Sequence, residues 1–89
     1  MNDCQKIKMY HKCIKLAKRL KIIITFKQND NFQLQYNINH DVGECDNIMD
    51  MYLFLYGFEC GCKKVSDEKY EYEHSYHHGY KWGLFSIKN

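Results

Sequence analysis

The hydrophobic period of this chain switches from helical to two-fold just after Leu20, and that switch limits the folds open to it. In "FQLQYNI", Phe32, Leu34, Tyr36 and Ile38 alternate with Gln33, Gln35 and Asn37. Alternation of this kind puts the apolar side chains on one face of a half-buried strand. Ile22, Ile24 and Phe26 form the matching face of an earlier strand. All of these apolar positions are even-numbered, so the turn must preserve parity. A two-residue turn at Asn29-Asp30 would oppose Phe26 to Gln33 and flip one face. A loop from Asn29 to Asn31 keeps both faces, with Phe26 facing Leu34, and Asn31 tolerates the left-handed conformation such a loop requires.

The segment before the hairpin, "DCQKIKMYHKCIKLAKRLK", has helical period. Ile7, Tyr10, Ile14 and Ala17 form one stripe, with Met9, Cys13, Leu16 and Leu20 beside it; Lys8, Lys12, Lys15 and Arg19 line the back. Asp3 is the expected N-cap and Cys13 a core thiol. After the hairpin, Ile48, Met51, Tyr52, Leu55 and Phe58 recur at helical spacing, with Glu44, Asp46 and Asp50 gathered at the front of the segment. Such acids suit a helix N-terminus, and Gly57 and Gly61 read as its end, with a central strand as the rival reading because Leu and aromatics also suit strands. The tail fits two periods. As a helix, Ser66 caps it and Gly79 stops it; as a strand, Tyr70, Tyr72, His74, Tyr76, His78, Tyr80 and Trp82 share one face. "YKWGLFSI" reads as a final strand either way. The expected fold is α+β, a single domain over residues 1–89: an N-terminal amphipathic helix, an antiparallel hairpin, a buried second helix, and a C-terminal helix or hairpin with a final strand.

A chain of 89 residues has a marginal core, burying only about 60–65 % of its unfolded surface, so a staple is expected. Its five cysteines cannot all pair within one chain, which points to free thiols or metal thiolates in a reducing compartment. "MNDCQKIKMYHK" lacks the apolar core of a signal peptide, and "MYLFLYGF" is too short to span a bilayer. A cytoplasmic protein with no membrane partner is the expectation.

Cys60 and Cys62 in "FECGCKK", and His74, His77 and His78 in "YEHSYHHG", are the chemistry-bearing cluster. Zinc takes about four N or S ligands at roughly 2.0–2.3 Å. With residues 67–78 helical, His74 and His78 stand at i, i+4 and join Cys60 and Cys62 as the candidate zinc ligands. With a strand there, they stand about 13 Å apart and only one histidine, His77 among the choices, could join. His40 and Cys45 are a separate candidate pair.

The stretch from Phe58 to His78 resembles the two-Cys, two-His zinc finger: paired cysteines, a short link and a capped helix carrying two histidines. It has only Gly61 between its cysteines, where that family has at least two residues. The resemblance implies zinc held by Cys60, Cys62, His74 and His78.

Charge is unevenly spread. Residues 1–27 hold eight Lys or Arg and one Asp; residues 28–89 hold five Lys and ten acids. Separation of this kind favours interaction surfaces. No phosphate-binding Gly-rich loop and no His-Glu-x-x-His motif is present, so a non-enzymatic protein is expected. Small size, absent proline, exposed aromatics and split charge together resemble the small phage-encoded anti-CRISPR proteins. That resemblance implies an inhibitor binding a host CRISPR effector nuclease such as Cas9 and blocking its action on DNA. The basic first helix supports an alternative, a small nucleic-acid-binding regulator.

Overall fold

The computed structural model describes residues 2–28, 31–36 and 40–88, with His40 and Lys88 described by backbone only. Helix α1, Asp3–Leu20, begins where a short polar side chain takes an orphan amide. That residue is Asn2, not Asp3: Asn2 accepts from the Gln5 N–H at 2.9 Å, and the Gln5 side chain accepts in return from the Asn2 N–H at 3.1 Å. The reciprocal pair is a capping box, and Asp3 sits in the first turn instead. Of the expected stripes, Cys13, Leu16 and Ala17 are buried and Lys8, Lys12, Lys15 and Arg19 are exposed, but Ile7, expected on the apolar side, is 58 % exposed.

Strands β1, Ile22–Phe26, and β2, Phe32–Tyr36, form the expected hairpin. Parity is preserved, but Phe26 faces Phe32 and Ile24 faces Leu34, a register two residues tighter than expected. The Lys27 N–H donates to the Asn31 carbonyl at 2.8 Å and draws Asn31 out of the loop. Asn29, Asp30, Asn37 and Ile38 of the expected hairpin lie outside the described residues.

Of the acids expected at the front of the second helix, Asp50 does lie in its first turn, whereas Glu44 falls in a third strand, β3, His40–Cys45. The sheet is antiparallel in the order β1-β2-β3. Its register slips where Leu34 faces Gly43 and Gln35 faces Asp41, leaving Val42 as the extra residue of a bulge. Gly43 takes φ 155° there, which side-chain-bearing residues rarely adopt. The bulge turns Val42 inward, to 2 % exposure, beside Leu34 at 0 % in the core of this part of the chain.

Helix α2, Ile48–Lys63, then starts from Asn47, whose side chain accepts the Asp50 N–H at 2.8 Å. It runs through Gly57 and Gly61 rather than ending there. A 3-10 turn, Glu68–Tyr70, is capped by Asp67, not by Ser66. Helix α3, His74–Lys88, passes through Gly79 and takes in the whole of "YKWGLFSI", so the expected final strand is helical. The fold is thus α+β, and the chain divides into two compact units, Met1–Tyr52 and Leu53–Asn89. No helix among the described residues is long and apolar enough to cross a membrane.

Leu34 lies on the central strand and is fully buried. Leu34→Ala is expected to cost about 2–5 kcal/mol, read as a lower midpoint in urea unfolding.

Candidate functional site

Two helices can approach backbone to backbone only where side chains are absent, and the second unit carries the sequence pattern for it. Gly57 and Gly61 stand four apart on α2, and Gly79 and Gly83 stand four apart on α3. Each faces the partner backbone: Gly57 the Tyr76 carbonyl, Gly61 that of Tyr80, Gly79 that of Phe54 and Gly83 that of Phe58. A Cβ at any of the four would stand less than 3.0 Å from that carbonyl, a separation real Cβ atoms essentially never show. The pairings advance together along both helices, so the two run side by side in the same direction. This is the small-xxx-small arrangement, in which close approach gains van der Waals contact and Cα–H···O contacts.

The chain returns from the end of α2 to the start of α3 through a link tied to tyrosine hydroxyls. Lys64, with φ 57°, closes α2 in a Schellman turn: the Val65 N–H donates to the Cys60 carbonyl at 3.0 Å and the Lys64 N–H to that of Gly61 at 3.1 Å. The Tyr56 hydroxyl donates to the Asp67 carboxylate at 2.6 Å, and the Tyr76 hydroxyl accepts from the Asp67 N–H at 2.7 Å. The Tyr56 hydroxyl and the Lys69 N–H hold the Asp67 carboxyl below its usual range. The reciprocal effect, chiefly of Asp67, pushes the Tyr56 phenol up. Tyr56, Tyr70, Tyr76 and Tyr80 pack with Leu53 and Cys60 as the apolar cluster of this unit.

Against this frame Cys60, Cys62 and His78, three of the expected zinc ligands, have separate neighbours. Cys60 and Cys62 lie within α2 rather than on a turn, and two residues of helix rotate them apart by about 200°. Cys60 is buried among the tyrosines. The Cys62 Sγ lies 3.4 Å from the Ser86 hydroxyl and 3.7 Å from the Gly83 carbonyl, on α3. His74 and His78 do stand at i, i+4, at the start of α3. His78 packs edge-on against Phe54, with ring centroids 5.4 Å apart, and accepts from the Trp82 indole N–H at 3.3 Å. His77 is exposed and its Nε2 meets the Glu71 carbonyl. Among the described residues no three His, Cys, Asp or Glu side chains are gathered so as to hold a metal ion. Cys45 ends β3 with its thiol pushed up to about 12, first by burial and then by Asp50 and Asp46. The His40 side chain lies outside the described residues.

The first unit carries a different kind of site. Lys8, Met9 and Lys12 of α1, with Gln5 and Met49, line an open groove of about 430 Å³. Met49 is 40 % exposed. The signal for this groove was the basic back of α1; Met49, from the start of α2, could not be assigned to it by sequence period. Comparison of the chain with family models, with curated proteins and with solved structures finds no match.

Two outcomes are expected. An exposed helical glycine replaced by alanine gains about 1 kcal/mol, whereas Gly79→Ala should lower the melting temperature because its methyl would meet the Phe54 carbonyl. The His78 ring is held below its usual pKa by burial first, then by His74 and Lys81. The unfolded chain therefore takes the proton first, and stability present above the unfolded value is lost as pH falls through the folded one. The melting temperature should drop between about pH 7 and pH 5, and His78→Gln should flatten that part of the profile.

Proposed function

We propose that this chain is a non-enzymatic binding protein that engages a partner protein through the outer face of α1. The observation behind the reading is the mixed chemistry of one groove: Lys8 and Lys12 beside Met9 and Met49, the last 40 % exposed. Methionine adapts to irregular apolar contacts, and lysine lays its aliphatic stem along them while its ammonium stays in water. An amphipathic acidic segment of a protein satisfies both halves of that surface. The anti-CRISPR resemblance of the sequence makes a CRISPR effector nuclease such as Cas9 the first partner to test, with inhibition of DNA cleavage as the outcome. Zinc held by Cys60, Cys62, His74 and His78 is no part of this reading, because Cys60, Cys62 and His78 have different neighbours.

A second reading follows from the row of Lys8, Lys12, Lys15 and Arg19 along the exposed side of α1, which matches a phosphate backbone. The apolar share of the groove favours protein over nucleic acid.

The two are separated by one set of measurements. Added to a guide-loaded effector nuclease, the wild-type chain should suppress target cleavage. Lys8→Glu with Lys12→Glu should weaken suppression by about tenfold or more at unchanged helical content, the scale of a few lost ion pairs. Binding to a bare DNA duplex with a steep salt dependence would replace this reading with the second. Binding to neither would remove both.

A further inference from the structure

β1 is an outer strand of its sheet: among the described residues its strand neighbour is β2. Which of its backbone groups are free follows from the turn. The Lys27 N–H bonds to the Asn31 carbonyl, and the register pairs Thr25 with Gln33 and Ile23 with Gln35. Residues of an antiparallel pair alternate between bonding inward and outward. The N–H and C=O groups of Ile22, Ile24 and Phe26 therefore point away from β2.

An edge of this kind is a template for another strand unless it is blunted. The opposite edge, β3, is blunted by the bulge at Val42 and by Asp41 and Glu44. β1 reads "IIITF", with no charge, proline or glycine, and Ile23 and Phe26 are 49 % and 59 % exposed. Beside it lies a groove of about 190 Å³, lined by Tyr10, Ile14, Ala17 and Lys18 of α1 and by Ile22 and Ile24. A strand added to β1 extends the α1-facing side of the sheet, so the side chain it sets beside Ile24 enters that groove. Charge brackets the edge: Lys18 and Lys21 stand at its Ile22 end. Lys27 stands at the other, where its ammonium bonds Glu44 at 2.6 Å and keeps two further donors. A second copy of β1 laid antiparallel about Ile24 would set Lys21 against Lys27 twice over, which disfavours self-pairing.

We infer that the free edge of β1 is a peptide-binding site that takes an extended segment of a partner protein by strand addition, an aliphatic side chain in the α1–β1 groove and carboxylates at both ends. This site shares no lining residue with the groove of Lys8 and Lys12, and it stands or falls independently of it.

The probe is a blocked synthetic hexapeptide, Glu-Val-Thr-Val-Thr-Glu, titrated into the ¹⁵N-labelled full chain. Binding should slow amide exchange at Ile24 and Phe26 and shift the resonances of Tyr10 and Ile14. The same peptide with lysine at both ends should bind about tenfold more weakly, the scale of exposed ion pairs. Lys18→Glu should narrow or reverse that preference, a response that loss of folding does not mimic, while Lys8→Glu with Lys12→Glu should leave it unchanged. The inference is overturned by shifts that gather around Met9 and Met49, or by no added protection at Ile24 and Phe26. It is equally overturned by sedimentation as a dimer whose β1 amides are already protected without peptide.

Discussion

The second unit depends on a contact between backbones, made possible by atoms that are missing. Gly57 and Gly61 let α3 reach α2, and Gly79 and Gly83 let α2 reach α3. Each glycine in a helix interior costs about 1 kcal/mol relative to alanine, so four of them would weaken the helices without a return. The return is the length over which the two backbones touch, which supplies dispersion contact in place of large interlocking side chains. Everything around the pair is arranged by that closeness. The tyrosines are displaced to one side, where they cluster with Cys60, and Cys62 is brought to Ser86 on the other.

Using glycine for packing leaves none for capping. Helices commonly end on a glycine in the left-handed conformation. Here α1 and α2 end on lysines, Lys21 at φ 61° and Lys64 at φ 57°. A left-handed non-glycine residue costs on the order of 1–2 kcal/mol. In α2 the Schellman hydrogen bonds and the tyrosine-anchored link to Asp67 offset that cost. Reading Gly57 and Gly61 as a helix end and Gly79 as a stop followed the usual preference. The pair of four-residue glycine spacings, visible in the sequence, was the signal that pointed the other way.

The first unit follows local rules more closely. Alternation at even positions placed Ile22, Phe32 and Leu34 in the core, and helical period placed Cys13, Leu16 and Ala17 there. Where it departs is β3, a strand that takes in Glu44 and buries Val42 at its bulge. The surface left by this arrangement is chemically divided, a cationic and methionine-lined groove on one side of α1 and an uncharged strand edge bracketed by lysines on another.

Sequence by itself determined the elements whose period is strong: the amphipathic α1 with its basic back and the parity of the hairpin. These are local properties, because a side chain's direction follows from spacing along one element. Tertiary structure decided the rest. Cys60, Cys62, His74 and His78 look like one constellation along the chain, yet a helix that continues past Gly61 turns the two thiols to different neighbours. The sequence marks out these donors, but the packing of α2 against α3, made of contacts between residues far apart in the chain, decides which way each one faces.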